Sequence, residues 1–171
     1  MRFRVSALLA TVVLGLGAFL PAGAAVFYHV SGAPGAWPAI LEPVGLRPAN
    51  PAAADVIVLR AGAGNATAEI EGWLSAGKQV ILEGASPAAA ALGFVPGEQT
   101  VQVQSVKDRR LPELRIIWED PLTLPRFQLP PDATIYAEER WGGAPIIAGM
   151  RRGKGSVLWI ASTPGREGYE R

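Results

Sequence analysis

The chain has 171 residues, with 16 Lys and Arg against 15 Asp and Glu, one His and no Cys. The missing cysteine excludes disulfide bonds, thiolate catalysis, cysteine-ligated metals and a lipid-modified cysteine anchor. The nearly neutral charge gives no electrostatic argument for nucleic-acid binding, and no motif indicates a cofactor. We therefore expect no nucleic-acid partner and no cofactor, and a length that fits one domain with a sizeable core.

The N-terminus has the three-part layout of a secretory signal. Arg2 and Arg4 precede an apolar run over residues 5–20, and small residues follow at 21–25. We expect residues 1–25 to be a cleaved signal peptide, which leaves residues 26–171 as a single exported domain, periplasmic or extracellular. The alternative is an uncleaved anchor in the inner membrane, extended by residues 24–30. Cleavage leaves 14 Lys and Arg against 15 acidic residues, a net charge of −1.

The first half of the domain alternates strand and helix patterns. Apolar, β-rich runs predict strands over residues 26–30, 54–59 and 79–83. Helical spacing predicts helices over residues 37–44, between the N-cap Asn65 and Gly77, and from Ser86 to Gly93. The first helix is expected to be short or bent, because Pro43 interrupts it. This alternation predicts βαβ crossovers and a mostly parallel open sheet flanked by helices.

The second half predicts an antiparallel β extension of that sheet. Short β runs at residues 100–106, 114–118 and 134–137 are separated by proline-rich loops. Residues 145–150 and 156–161 flank a turn at 151–155, the pattern of a hairpin. The chain ends at Arg171 where a closing helix is expected, which is typical of a fragment or of a naturally clipped domain.

Residues 70–84, 92–94, 142–147 and 153–157 carry turn glycines next to apolar runs. In these segments the chain resembles class I glutamine amidotransferase-like domains, including the trehalose-utilisation-type members. The resemblance implies a flavodoxin-like α/β fold over most of residues 26–161. Lys78 stands where those proteins have the second glycine of a pair, a departure that leaves the fold expectation unchanged.

The resemblance fails at the residue on which the chemistry of that family depends. True amidotransferases place a cysteine nucleophile in the sharp turn after a strand, and the matching turn here is residues 83–87, Glu-Gly-Ala-Ser-Pro. Since that turn has no thiol, glutamine hydrolysis by a cysteine nucleophile is excluded. We expect no catalytic residue carried over from the family.

Candidate ligand-binding residues follow from topology. In open parallel α/β sheets, ligands bind beyond the carboxyl ends of the strands, where loops expose backbone N–H groups. Glycines there let a ligand approach the backbone, and polar side chains orient it. The expected ligand is a small molecule or a glycan. The candidate residues are Ser31, Gly32, Gly62, Gly64, Asn65, Glu83, Gly84, Ser86 and Thr163.

Other motifs have a simpler structural interpretation. Ser86 as a nucleophile needs a base, and the single histidine, His29, lies on the first predicted strand; an N-cap role is favoured. The acidic residues at 119–120 and at 138–139 are neighbours on predicted strands, so the two side chains of each pair point to opposite faces. This favours solvated strand edges over the facing carboxylates of a glycosidase site. The basic residues at 151–154 are more simply explained as the solvated tip of a hairpin than as a binding site for an anionic glycan. The segment 62–65 lacks the spacing of a phosphate-binding loop.

Two functional hypotheses remain. The first is a non-catalytic binding or scaffold module of a bacterial envelope or carbohydrate-related system, supported by the scaffold resemblance and the signal segment. The second is an envelope hydrolase that acts on carbohydrate through loop carboxylates such as Glu83 or Glu119. Membrane contact is expected only through an uncleaved N-terminal segment, and the sequence leaves the oligomeric state open.

Fusion of residues 1–30 to a reporter that is active only in the periplasm is expected to give reporter activity, because the segment has the layout of an export signal. The activity of colonies that carry the fusion measures this directly. Activity of a cytoplasm-only reporter fused at the same position would contradict the export hypothesis.

Overall fold

The computed structural model describes residues 25–63, 67–114 and 116–163, without the side chains of Trp118 and Glu119. The predicted signal peptide and the C-terminal residues 164–171 lie outside these ranges. The helices are α1 (Trp37–Leu41), α2 (Thr67–Ser75) and α3 (Pro87–Ala91). The strands are β1 (Phe27–Ser31), β2 (Arg47–Pro48), β3 (Val56–Leu59), β4 (Gln79–Glu83), β5 (Val95–Asp108), β6 (Ile116–Gln128), β7 (Thr134–Glu139), β8 (Pro145–Arg152) and β9 (Gly155–Ile160).

Within the described ranges, nine strands form one sheet in the order β2-β1-β3-β4-β9-β8-β7-β5-β6. The neighbours from β2 to β9 pair in parallel, and those from β9 to β6 pair antiparallel. The predicted mixed α/β sheet, parallel in the first half and antiparallel in the second, is confirmed.

Strand β9 is the element that joins the two halves. It comes last along the chain, yet it lies between β4 and β8, and all six of its residues are buried. Its Trp159 stacks on Phe94 with ring centroids 5.3 Å apart and meets Phe127 edge-on at 4.6 Å. Because Phe94 follows α3 and Phe127 lies on β6, this one indole packs both halves into a common core.

The helices of the parallel half follow the sequence pattern closely. Helix α1 is short, as expected, because Pro43 lies in a 3-10 turn, Glu42–Val44, that directly follows it. Ser86 caps α3 as predicted, its side chain accepting a hydrogen bond from the Ala89 N–H at 3.1 Å. The predicted N-cap Asn65 lies outside the described residues. In the part of the chain described here, no helix is long and apolar enough to cross a membrane.

Strand β6 corrects the prediction of proline-rich loops after residue 118. It runs from Ile116 to Gln128 through Pro121 and Pro125, with a register shift against β5 between Ile117 and Leu122. The strand lies at the end of the sheet order, so one of its edges has no neighbouring strand among the described residues. Proline is tolerated on such an edge because the missing N–H leaves no ladder bond unmade. The sequence pattern alone does not reveal an edge position.

Lys78 fixes the loop that precedes β3. Its ammonium group donates hydrogen bonds to the carbonyl oxygens of Pro51, Ala52 and Ala54 at 3.0, 2.8 and 2.5 Å. Lys78 is therefore a tether between the α2–β4 turn and the β2–β3 loop.

Tyr28 ties β1 to the 3-10 turn that follows α1. Its buried phenol donates a hydrogen bond to Glu42 at 3.0 Å. Burial, together with this hydrogen bond and the negative charge of Glu42, raises the pKa of Tyr28 to about 12. The phenol is therefore neutral at physiological pH and remains a donor.

Two glycines provide a matched test of the packing between α2 and the β8–β9 hairpin. A Cβ at Gly155 would lie 2.3 Å from the Lys78 carbonyl oxygen and 2.9 Å from that of Leu74, whereas one at Gly72 meets nothing within 4 Å. We expect Gly155→Ala to lower the free energy of unfolding by about 2 kcal/mol through overpacking. Gly72→Ala lies within α2 and is expected to raise it by about 0.5–1 kcal/mol.

Urea unfolding followed by circular dichroism measures both changes. Equal effects of the two alanines would contradict the close approach of the hairpin to α2.

Candidate functional site

The carboxyl ends of the parallel strands lie side by side at one edge of the sheet. Ser31 pairs with Leu59, Leu59 pairs with Leu82, and Glu83 pairs with Ile160. The loops that follow β1, β3, β4 and β9 therefore share this edge, as the topology predicted. We call it the carboxyl edge.

Glu83 lies at the centre of the carboxyl edge. Its side chain is fully buried, and within the described residues it accepts hydrogen bonds from four donors on three other segments. Oε1 accepts from the Trp37 indole N–H. Oε2 accepts from Arg60 Nε at 3.4 Å, from the Ala61 backbone N–H at 3.3 Å and from the Thr163 hydroxyl at 3.0 Å. The carboxylate thus joins α1, the β3 loop and the β9 loop to the end of β4.

This arrangement follows from the physical chemistry of a buried charge. Strand β4 is covered on both faces, so its last side chain points into protein and not into water. A carboxylate buried without partners costs several kcal/mol, and hydrogen-bond donors must replace the lost water. Arg60 supplies the opposite charge at 3.4 Å, with 26% of its side chain exposed.

Arg60 also reaches the loop after β1. Its Nη1 donates to the Ala33 carbonyl oxygen at 2.7 Å. One guanidinium group therefore connects the loops after β1 and β3 to the end of β4. The two loops enclose the point at which the strand order reverses, between β1 and β3.

The turn after β4 is equally constrained. The Gly84 N–H donates to the Ile160 carbonyl oxygen at 2.7 Å, and the Gly84 carbonyl oxygen accepts from the Trp159 indole at 3.1 Å. Ser86 is 2% exposed and its oxygen caps α3. Gly84 and Ser86 are thus buried and hydrogen-bonded, while Ala85 and Pro87 of the same turn are exposed.

The remaining candidate residues have different environments. Ser31 and Gly32 end β1 and begin its loop, and Gly62 lies in the β3 loop. A Cβ at Gly32 or Gly62 meets no described atom within 4 Å, so space adjoins both loops. Gly64 and Asn65 lie outside the described residues.

The structure separates the groups of the Ser–His hypothesis. His29 Nδ1 contacts the Ala49 carbonyl oxygen at 3.1 Å, and since a carbonyl only accepts, Nδ1 carries the proton. Strand β3 lies between β1, which carries His29, and β4, which Ser86 follows. The described contacts give the two residues no common hydrogen bond.

Two acidic candidates of the second half, Glu138 and Glu139, are also engaged in structure. Glu138 pairs with Arg109 at 2.6 Å. Glu139 is 3% exposed and accepts hydrogen bonds from the backbone N–H groups of Trp141 and Gly142. The structure does not describe the side chain of Glu119. Among the described residues, no group of three or more His, Asp or Glu side chains is placed to hold a metal ion.

The sequence singled out Glu83 and Thr163 as candidates, but not the other donors to the carboxylate, which are Trp37, Arg60 and Ala61. Trp37 lies 46 residues and Arg60 lies 23 residues from Glu83 along the chain. The available signal was a carboxylate at the end of a continuous apolar strand, because such a residue needs donors from elsewhere. Neither the identity nor the position of those donors is encoded locally.

Comparison with known proteins finds relatives by fold only. No family model and no curated protein matches the sequence. A cytoplasmic protein of Salmonella typhimurium LT2 superposes with a TM-score of 0.58 at 13% identity, over 81% of this chain and 88% of that chain. A catalytic mutant of a GH42 beta-galactosidase from G. stearothermophilus gives 0.55 at 12% identity over 80% of this chain.

A beta-galactosidase from Rahnella sp. R3 gives a TM-score of 0.54 at 12% identity over 85% of this chain. The chain spans 27% and 30% of the lengths of these two beta-galactosidases. The likeness shows a shared fold. That fold accounts for most of one Salmonella protein and for about a third or less of the larger enzymes.

Replacement of Glu83 tests how much the carboxylate stabilises this edge. Glu83→Gln puts an amide donor opposite other donors and removes the charge that faces Arg60, so we expect the free energy of unfolding to fall by about 2–4 kcal/mol. Glu71→Gln is the matched control, because Glu71 pairs with Arg152 at 3.2 Å on the surface. The free energy of unfolding of this control variant is expected to fall by less than about 0.5 kcal/mol.

Chemical denaturation of the two variants and the unchanged protein gives both values. A Glu83 variant as stable as the Glu71 variant would contradict the role assigned to the buried carboxylate.

Proposed function

We propose that the protein is an exported, non-catalytic binding module with an amidotransferase-like α/β scaffold, which holds a small-molecule or glycan ligand at its carboxyl edge. The observation that carries the proposal is the burial of Glu83 with four described donors. A fully buried carboxylate that already accepts four hydrogen bonds fixes loops, and no substrate reaches it without displacing them.

The strand order supports the flavodoxin-like part of the proposal. From β2 to β4 the order is β2-β1-β3-β4, and β9 takes the fifth place. This is the 2-1-3-4-5 order of flavodoxin-like sheets, in which ligands bind where the order reverses. The amidotransferase-like part rests on the turn glycines and apolar runs of the sequence, and the export rests on the N-terminal segment.

The reversal point favours a ligand position between the loops after β1 and β3. Arg60 lies against both loops and is partly exposed, so it offers N–H donors at that position. A Cβ at Gly32 or Gly62 meets no described atom within 4 Å, so a ligand can approach their backbone groups past the described residues. Together these features suit a polar ligand held by backbone groups and one guanidinium.

The hydrolase hypothesis finds less support at this edge. Hydrolysis of a glycosidic bond needs two carboxyl groups that face the substrate. Glu83 is fully buried, and the described neighbours of its carboxylate are donors, with no second carboxylate among them. This environment favours a binding role over a catalytic one.

Titration of the full-length protein with a panel of monosaccharides and short oligosaccharides tests the proposal. We expect amide shift changes in nuclear magnetic resonance spectra to concentrate in residues 31–35 and 60–63. Gly62→Leu is expected to weaken binding of the panel's best ligand at least tenfold, because the new side chain enters the proposed ligand position. Gly72→Leu is the control, since its surroundings are equally open but lie on α2.

Two results would contradict the proposal. One is a set of shift changes confined to other surfaces. The other is turnover: release of ammonia from glutamine, or cleavage of an oligosaccharide in the panel, at a rate that depends on Ser86 or Glu83.

A further inference from the structure

The turn between β7 and β8 presents an exposed tryptophan on a backbone that is held in several ways. The Trp141 side chain is 71% exposed. Its backbone N–H donates to both oxygens of Glu139 at 3.1 Å, and the Gly142 N–H donates to the same carboxylate. The Gly143 N–H donates to the Glu139 carbonyl oxygen at 3.0 Å. A buried carboxylate thus holds in place the turn that exposes the largest apolar side chain.

The turn also requires its glycines. A Cβ at Gly142 would lie 3.0 Å from Glu139 Oε2, and Gly143 has a φ of +66°. Because the backbone of this turn is held in place, little backbone conformational entropy is lost when a ligand stacks on the indole. An exposed indole on a fixed turn is a feature of binding surfaces more than of solvated loops.

The turn lies on the carboxyl edge. Strand β9 is parallel to β4, β8 is antiparallel to β9, and β7 is antiparallel to β8. The carboxyl end of β7 therefore points the same way as that of β4, three strand positions along the sheet. Three spacings amount to about 14 Å. The ligand position beside Arg60 lies at the end of β3, one strand farther from β7, so a ligand that also reaches the indole spans four spacings, about 19 Å, and must contain several sugar rings.

The exposed charge beside the turn is positive, whereas the Glu139 carboxylate that holds the turn is buried. Arg126 is exposed, and its Nη2 donates to the Gly142 carbonyl oxygen at 3.1 Å. This bond uses one of the five N–H groups of the guanidinium. Two of the other N–H groups can bind a carboxylate in bidentate geometry. The neighbouring Arg140 is engaged elsewhere, with Ser105 and Leu114.

The size of the surface favours a sugar over a protein partner. A stable protein interface buries about 800 Å² on each side. One indole contributes at most about 250 Å², and glycines and an arginine surround it here. The C–H face of one pyranose ring covers one indole face, and a ring carboxylate matches the guanidinium beside it.

We propose that Trp141 and Arg126 form a subsite for a carboxylate-bearing sugar, a uronic acid, at the far end of the carboxyl edge. The indole stacks on the sugar ring, and Arg126 pairs with its carboxylate. The inference rests on the proposed binding function and names the ligand class, an acidic oligosaccharide.

Binding of tetragalacturonate to the full-length protein, measured by calorimetry and by the Trp141 indole N–H resonance, tests the subsite. We expect Trp141→Ala to weaken binding at least tenfold without a change in melting temperature, and Trp141→Phe to restore it within about threefold. Arg126→Gln is expected to lower the affinity for tetragalacturonate to the affinity that the unchanged protein has for the methyl ester of tetragalacturonate. Ile117→Ala, at another exposed apolar residue, is the control and is expected to leave binding unchanged.

Equal binding of tetragalacturonate by the unchanged protein and the Trp141→Ala variant would overturn the subsite. It would leave the proposed function standing if Gly62→Leu still abolished that binding. A hexaglutamate peptide that bound as tightly as the saccharide, through the same two residues, would also overturn the assignment to a sugar. Absence of any saccharide binding would overturn the subsite together with the glycan form of the proposed function.

Discussion

The carboxylate of Glu83 is the constraint on which the arrangement of the carboxyl edge depends. A charge at the end of a strand covered on both faces is tolerated only when donors replace the water it has lost. Those donors come from α1, from the β3 loop and from the residues after β9. The need to supply hydrogen bonds to one buried charge therefore fixes the positions of α1, the β3 loop and the residues after β9.

The second organising element is β9, which makes one core out of two kinds of sheet. Its parallel pairing with β4 closes the parallel half of the sheet, and its antiparallel pairing with β8 begins the antiparallel extension. The indoles of Trp37 and Trp159 donate to neighbouring residues, Glu83 and Gly84, so the end of β4 is held from two directions. The extension then carries the β7–β8 turn, with its exposed Trp141, to the same edge of the sheet.

Much of the fold was accessible from the sequence because its signals are local. The buried strands β3 and β4, the Ser86 cap and the break of α1 at Pro43 each follow from a few adjacent residues. Strand β6 was misjudged, because tolerance for Pro121 and Pro125 depends on an edge position that only the complete sheet defines. The sequence predicted that the loops after β1, β3, β4 and β9 share one edge, and the strand pairings place them there, but the contacts around Glu83 at that edge were not predicted. Trp37 and Arg60 become partners of Glu83 only when distant segments meet.

Hydrogen exchange of the tryptophan indole N–H groups tests the central claim most directly. The account predicts that the Trp37 indole proton exchanges as slowly as that of buried Trp159, and that Glu83→Gln selectively speeds the exchange of Trp37. Trp141, 71% exposed, provides the fast reference in the same spectrum. Exchange of Trp37 at the rate of Trp141 would contradict the account, because the carboxylate would then not hold the indole that ties α1 to the carboxyl edge.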